Sequence, residues 1–246
     1  MHGQARKDSS RSDRVKTALV AQGYSPRTIK SYVHYIEDYF GYVDDSEGVG
    51  EVNDYLAHLS DDLDLSRSTM NVAISAVRFY FKHFYGVELP DQVSRPKKEK
   101  KLPKILNREE VKVLLSAPDD VKARAILTLT YSSGLRVSEV VSLKVSDLDF
   151  ERDTVIVRGA KGGKDRVTVF SEKAQEVVKD HLRARRPTYW LFPGQKDGSH
   201  LTTRSAQLHF KSALGDTNIQ KKVGIHSLRH SFATHMLENG TDIRYI

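Results

Sequence analysis

The chain has 246 residues, of which 39% are apolar and 9% aromatic, so it can form one large domain or two ordinary ones with buried cores. It contains no cysteine, which excludes disulfides, thiolate metal sites and thiol nucleophiles. Its formal net charge of +7 favours a polyanionic partner such as nucleic acid.

Membrane insertion and secretion both lack a signal in the sequence. No apolar run approaches the roughly 18 residues that a membrane-spanning helix needs. The N-terminal stretch MHGQARKDSSRSDR has no apolar core of the kind that a signal peptide carries. We therefore expect a cytoplasmic protein with no membrane partner.

Charge is distributed unevenly along the chain. Residues 1–92 hold 10 Lys and Arg against 14 Asp and Glu, residues 93–104 hold six against one, and residues 105–246 hold 23 against 17. The middle stretch, VSRPKKEKKLPK, also carries two prolines, which resist helix formation. We predict a basic linker between two domains, which is either a solvated loop or a strap along phosphates. Its candidate DNA contacts are Lys97, Lys98, Lys100 and Lys101.

Residues 1–92 show the apolar spacing of four helices. These are SDRVKTALVAQG, SPRTIKSYVHYIEDYFGYV with Ser25 as N-cap, EVNDYLAHLS, and SRSTMNVAISAVRFYFKHFYG. Four short helices on short loops predict a small bundle, with its Tyr and Phe residues in the core rather than stacked on bases. Basic residues on the second and fourth helices are candidate DNA contacts: Arg27, Lys30, Arg67, Arg78 and Lys82.

Residues 105–246 mix helix and strand. NREEVKVLLSA begins with Asn107 and Glu110 at the spacing of a capping box, and DDVKARAILTLTYSSG predicts a helix that ends before Gly134. After the short helix LRVSEVVSL, the segments DTVIVRG and DRVTVF alternate as strands around the glycine-rich turn AKGGK. Three further helices follow, in SEKAQEVVKDHLRARR, TTRSAQLHFKSAL and IHSLRHSFATHMLENG. The fold class predicted is mainly α with a small antiparallel β-sheet.

Several polar residues in this half suit the binding of a phosphate. Arg136 stands at a predicted helix start, where free N–H groups attract anions, and Glu139 follows one turn later, placed to hold the arginine. Lys161 lies at the tip of the predicted hairpin. His226 and Arg229 are three residues apart, so a helix presents them on one face as a proton-transfer group and a second guanidinium.

In these stretches the chain resembles the tyrosine recombinases, the lambda-integrase family, and among them the Xer-type recombinases that resolve chromosome dimers. SGLRVSEVVSLKVSDLDF resembles the first arginine box, GAKGGKDRVTV the lysine hairpin, and GIHSLRHSFATHMLENGTDIR the H-x-x-R box. The resemblance implies a four-helix, SAM-like core-binding domain in residues 1–92 and a catalytic domain in residues 105–246. It also implies double-stranded DNA as partner, self-association into a tetrameric synapse, and no metal or other cofactor.

The resemblance assigns a role to each matching residue. Arg136 and Arg229 correspond to the two catalytic arginines, Lys161 to the hairpin lysine with Lys164 as the alternative, and His226 to the first histidine of the box. In the family a tyrosine hydroxyl attacks a DNA phosphodiester and leaves a 3′-phosphotyrosyl bond and a free 5′-OH. Ala160 departs from the glycine that Xer proteins commonly place before the lysine.

The tyrosine itself has no counterpart in residues 1–246. The family pattern continues beyond GTDIR into a helix, a G-H or G-W pair and the nucleophile, whereas this sequence stops at Ile246. Tyr245 lies 16 residues after Arg229, at an ordinary helix position of the family. We expect a catalytic domain that lacks its C-terminal end, in a chain that is inactive alone: either a shortened recombinase or a natural DNA-binding homologue without a nucleophile.

A zinc hydrolase is a further alternative. His226 and His230 have the i, i+4 spacing of zinc ligands, and His235 follows. The sequence has no H-E-x-x-H motif and no obvious carboxylate ligand, and a zinc site has no need of Arg229. Phosphate chemistry explains both the histidine and the arginine of the box.

Overall fold

The computed structural model describes residues 2–43, 52–63, 65–89, 104–159 and 164–242. It confirms the predicted fold class, a mainly helical chain with a small antiparallel sheet. The chain divides into two compact units, residues 1–101 and 102–246. Their boundary falls in the predicted linker, but residues 93–103 lie outside the described residues, so the linker remains a prediction.

The N-terminal unit contains the four predicted helices: α1 (His2–Ala21), α2 (Pro26–Tyr42), α3 (Val52–Asp61) and α4 (Arg67–Tyr85). Ser25 caps α2 by accepting from the backbone N–H of Thr28, and Pro26 follows at the first helical position. Helix α1 begins about ten residues before its apolar pattern does. Extending a helix that Val15 and Leu19 anchor in the core costs far less than nucleating one, so polar residues can continue it.

Aromatic side chains fill the core of this unit, as predicted. Tyr39 is buried between Tyr55 and Phe81, with ring centroids 5.2 and 5.8 Å away in edge-to-face geometry. Such pairs add about 0.5–1.5 kcal/mol beyond the area that they bury. The buried rings therefore stabilise the bundle and cannot serve as a platform for bases.

The C-terminal unit is built around one helix. Its elements are α5 (Arg108–Ser116), α6 (Val121–Ser132), α7 (Val137–Val141), β1 (Leu148–Asp149), β2 (Thr154–Val157), β3 (Arg166–Val169), α8 (Glu172–Arg185), α9 (Thr203–Gly215) and α10 (Ile225–Glu238). Helix α6 is apolar on nearly all sides because α5, α7, α8, α9 and α10 all pack against it. The capping box of Asn107 and Glu110 is formed at the start of α5.

The sheet has strand order β1-β2-β3, and both pairs are antiparallel. The sequence predicted only β2 and β3, since a two-residue strand shows no alternation. On β3, Val167 and Val169 face solvent, whereas Arg166 and Thr168 alternate with them and turn toward polar partners. Within the described ranges, none of the helices is long and apolar enough to cross a bilayer.

Candidate active site

The turn between α6 and α7 places the first arginine. Gly134 has φ +59°, and a Cβ at this position would lie 2.6 Å from two ring carbons of Phe232 on α10. Only glycine accepts both this backbone conformation and this close approach. Arg136 follows as the residue that precedes α7, so its side chain emerges beside the α6–α7 turn, and both α7 and α10 pack against α6.

Glu139 on α7 joins three arginines that are distant in sequence. Its Oε1 accepts from Nη1 of Arg136 at 2.7 Å, and its Oε2 accepts from the backbone N–H of Arg136 at 2.8 Å and from Nη2 of Arg166 at 2.7 Å. Nη1 of Arg229 lies 3.8 Å from the same Oε2. We call these four residues the arginine cluster. The carboxylate is 7% exposed and the guanidinium side chains 28 to 41%, so the positive groups lie on the solvent side.

The electrostatics of the cluster keep Glu139 ionised. Burial alone raises the pKa of its carboxyl group, but the backbone and side-chain hydrogen bonds from Arg136 and the charge of Arg166 outweigh burial. The pKa therefore lies below its ordinary value. Burial and the neighbouring charge of Arg136 lower the pKa of Arg229. Three guanidinium groups around one carboxylate leave an excess of two positive charges for an anion.

A short helix start also lies at this site. The sequence predicted that free N–H groups at this helix start would attract the anion. The helix has only five residues, and the backbone N–H of Arg136 is already bonded to Glu139. Attraction by this short helix start stays a prediction, and the guanidinium groups are the positive charges that the structure places at the site.

Helix α10 carries the two residues of the H-x-x-R box. Ile225 and Leu228 are buried and fix the first turn, which leaves His226 exposed and Arg229 half-buried on the next turn. Nη1 of Arg229 donates to the carbonyl oxygen of Gly134, a contact across 95 residues of sequence. Among the described residues, none forms a hydrogen bond with the imidazole of His226, so it is available to a ligand.

Arg166 is the residue of the cluster that the sequence analysis missed. It pairs with Val157 across the hairpin and appears in the sequence as an ordinary charge at a strand end. One signal was present: Arg166 and Thr168 share a strand face that the exposed valines do not. Thr168 on that face donates to the carbonyl oxygen of Ser133 at 2.9 Å, so β3 is attached both to the α6–α7 turn and, through Arg166, to α7. A cavity of about 230 Å³ opens between β3 and α10 beside Arg166 and Arg229.

Only some of the other predicted site residues lie among those that the structure describes. Lys161 lies outside the described residues, as do the linker residues Lys97, Lys98, Lys100 and Lys101, and Tyr245, while Lys164 is described and exposed. Arg27 and Lys30 are exposed on the first turns of α2, and Arg67 is exposed at the start of α4. Arg78 and Lys82 on α4 line a cavity of about 550 Å³ with Tyr24, Tyr32 and Phe79.

The histidines of α10 do not converge. His226 and His230 are exposed, whereas His235 is buried with its Nδ1 3.0 Å from the hydroxyl group of Tyr131. In the part of the chain that the structure describes, no group of three His, Asp or Glu side chains could hold a metal ion. A zinc site made by the three histidines therefore has no support among these residues.

The geometry fits the binding of one tetrahedral anion by two guanidinium groups. Arg136 and Arg229 approach the same carboxylate from two elements and remain partly exposed, so each can also turn donors toward a phosphate. Donors held in place, here by Glu139 for Arg136 and by the carbonyl oxygen of Gly134 for Arg229, need little rearrangement as charge develops on a reacting phosphate. His226, one turn from Arg229, adds a group that can transfer a proton.

Comparison with known proteins shows the family of this chain. Residues 99–246 match the phage integrase family, and residues 12–91 match the N-terminal SAM-like domain of phage integrases. The tyrosine recombinase XerA of Thermococcus onnurineus is 38% identical over 240 residues, which cover 94% of this chain and 82% of the relative. The crystal structure of a XerA recombinase aligns with TM-score 0.55 and 27% identity over 97% of this chain and 87% of the other. A lambda integrase, in a tetramer bound to a Holliday junction, shares the fold with TM-score 0.75 and 16% identity over 95% and 74% of the two chains. The chain therefore belongs to the phage integrase family, the tyrosine recombinases of the lambda-integrase type.

Proposed function

We propose that this protein is a site-specific recombinase that cuts and rejoins double-stranded DNA through a 3′-phosphotyrosine, in an Xer-like resolution of chromosome or plasmid dimers. The observation that carries the proposal is the arginine cluster, in which one buried carboxylate is hydrogen-bonded to Arg136 and lies 3.8 Å from Arg229, so that two arginines of the family motifs meet at one point. A DNA phosphodiester is the anion that such a pair, on a basic chain, suits best.

In the proposed reaction a tyrosine oxygen forms a bond to the scissile phosphorus while the bond from phosphorus to the 5′-oxygen breaks. Arg136 and Arg229 stabilise the negative charge that grows on the non-bridging oxygens. His226 takes the proton of the tyrosine hydroxyl, and Lys161 gives a proton to the departing 5′-oxygen. The phosphotyrosyl ester conserves the energy of the broken bond, so the reverse reaction can rejoin strands without ATP.

DNA binding is assigned to basic residues of the helical bundle and of the linker. In the bundle these are cations of α2 and α4, and in the linker they are four lysines: Arg27, Lys30, Arg67, Arg78, Lys82, Lys97, Lys98, Lys100 and Lys101. Lys82 also pairs with Glu88 at 2.6 Å, so DNA would compete with that carboxylate for its charge. The lambda integrase tetramer on a Holliday junction supports a synapse of four copies for this chain.

The test is the formation of a covalent adduct with DNA. A polypeptide in which residues 1–246 are followed by the tyrosine-bearing segment of the family should form a 3′-phosphotyrosyl adduct on a nicked substrate that traps the cleaved state. The polypeptide that ends at Ile246 is the control and should form none. An adduct on Tyr245 would show that the nucleophile is misassigned, and DNA binding with no adduct from either polypeptide would favour the inactive DNA-binding homologue.

Arg136→Ala and Arg229→Ala should separate chemistry from binding. Loss of one preorganised donor typically lowers a rate by about 10²–10³. DNA affinity, which is spread over many phosphates, should change by about one unit of the slope of log K against log salt. Equal losses in binding and cleavage would contradict the assignment of these arginines to the transition state.

A further inference from the structure

Arg166 occupies the oxygen of Glu139 that Arg229 also faces. Oε2 accepts from Arg166 at 2.7 Å, whereas Nη1 of Arg229 remains 3.8 Å away and donates to the carbonyl oxygen of Gly134 instead. The side chain of Arg166 is one-third exposed, and it reaches the carboxylate from β3, an element that carries neither catalytic arginine.

A buried carboxylate attracts the nearest cation strongly, because few water molecules compete for it. If Arg166 were absent, Oε2 would lose a charge-assisted hydrogen bond and keep only the backbone N–H of Arg136. The nearest remaining guanidinium is that of Arg229. Closing the gap from 3.8 Å to a hydrogen bond of about 2.8 Å moves Arg229 by about 1 Å toward Glu139.

Such a movement matters for a group that stabilises a transition state. Misplacement by about 1 Å can cost about 10²-fold in rate. An arginine that forms a close pair with a carboxylate also offers less net charge to a phosphate. The cluster therefore holds more positive charge than Glu139 needs for neutralisation. Arg166 determines whether Arg229 pairs with Glu139 or stays available to a phosphate.

We propose that Arg166 is a positioning residue that occupies Oε2 of Glu139 and thereby keeps Arg229 directed at the scissile phosphate. The inference rests on the proposed function, since it concerns the same site. It differs from a role in anchoring the strand, because Thr168 independently attaches β3 to Ser133. Arg166 acts through Glu139 and makes no contact with the reacting atoms.

The structure offers a matched control on the same hairpin. Arg158 donates from Nε to Oδ1 of Asp147 at 2.7 Å, and that carboxylate is 3% exposed. Arg158→Gln therefore breaks an ion pair of the same length to an equally buried acid, away from the arginine cluster. Any loss that comes only from a weakened hairpin should appear in Arg158→Gln and Arg166→Gln alike.

The experiment measures single-turnover cleavage by the tyrosine-bearing polypeptide at saturating protein. Arg166→Gln should lower the rate about 10- to 100-fold with DNA affinity changed less than about threefold, Arg166→Lys should restore part of the rate, and Arg158→Gln should keep it. A methylphosphonate at the scissile position removes the charge that the arginines stabilise, so the deficit of Arg166→Gln should shrink on that substrate. The double variant Glu139→Gln with Arg166→Gln should cleave no more slowly than Glu139→Gln alone, because Arg166 then has no carboxylate to occupy.

Failure of the inference and failure of the proposed function are distinguishable. If the parent forms no adduct, the function is wrong, and a crystal structure of Arg166→Gln still decides whether Arg229 moves to within about 3 Å of Oε2. If the parent cleaves and Arg166→Gln cleaves at the parental rate, or loses no more than Arg158→Gln, the inference alone is overturned. An equal deficit on phosphodiester and methylphosphonate would likewise overturn it.

Discussion

Glu139→Gln should destabilise the C-terminal unit strongly, although it changes only one atom. The carboxylate accepts three hydrogen bonds from Arg136 and Arg166 at 2.7 to 2.8 Å. A glutamine keeps one acceptor oxygen and turns an NH₂ group toward a donor. At about 1.5–3 kcal/mol for each hydrogen bond to a charged group, the loss of one to two bonds gives about 3 kcal/mol.

The assay uses a natural reporter. Trp190 is the only tryptophan of the chain and belongs to the C-terminal unit, so its fluorescence follows the urea unfolding of that unit alone. With an m-value of about 2 kcal/mol per molar, a loss of 3 kcal/mol shifts the midpoint by about 1.5 M. Asp180→Asn, which breaks an exposed ion pair with Arg183 in the same unit, is the control and should leave the midpoint nearly unchanged.

The effect should depend on pH with a definite sign. The pKa of Glu139 in the folded protein lies below its ordinary value of 4.5, so its stabilisation is complete above that value and is lost as pH falls through the folded pKa. The gap between parent and Glu139→Gln should be constant from pH 6 to 8 and narrower by up to about 0.8 kcal/mol at pH 4. A midpoint that moves by less than about 0.3 M at pH 7, or a gap that widens in acid, would refute the reasoning.

Three further predictions concern other parts of the protein. Gly134→Ala should cost about 2 kcal/mol or more in the same urea assay and reduce cleavage, because it combines a positive φ with a Cβ 2.6 Å from the ring of Phe232; an unchanged midpoint would contradict this contact. Neutralising Lys97, Lys98, Lys100 and Lys101 should flatten the slope of log K for DNA against log salt by about three units. An unchanged slope would refute the prediction that the linker lies along phosphates. A 5′-phosphorothiolate substrate, whose leaving group needs no proton, should rescue Lys161→Ala but neither arginine variant; rescue of Lys164→Ala instead would move the general acid to that lysine.

Local signals allowed much of the fold to be predicted from the sequence. Helix caps such as Ser25 and the capping box of Asn107 and Glu110 depend on residues three apart, and the structure forms them as predicted. The strands β2 and β3 were visible because their side chains alternate. The extent of α1 could not be predicted in this way. Continuation of a helix depends on the buried residues that anchor it, here Val15 and Leu19, and not on the polar residues that extend it.

The site was predictable only as far as motifs describe it. Arg136, Glu139 and Arg229 lie in recognisable boxes, and the structure brings them to one point. Arg166 was missed because its place in the arginine cluster depends on Glu139, a partner 27 residues away, and on the face of β3 that it occupies. A sequence pattern gives the period of a strand, but the partner of a polar side chain is decided by tertiary packing.

The arginine cluster also sets the point in folding at which the two arginines of the family motifs come together. Its residues come from α7, β3 and α10, and the contact of Arg229 with Gly134 spans 95 residues. A nascent chain that has folded only as far as β3 contains Glu139, Arg136 and Arg166 but lacks Arg229. Because Arg229 reaches Gly134 only after α10 has docked, the pairing of Arg136 with Arg229 depends on the whole C-terminal unit, and a partly folded molecule has no complete anion site.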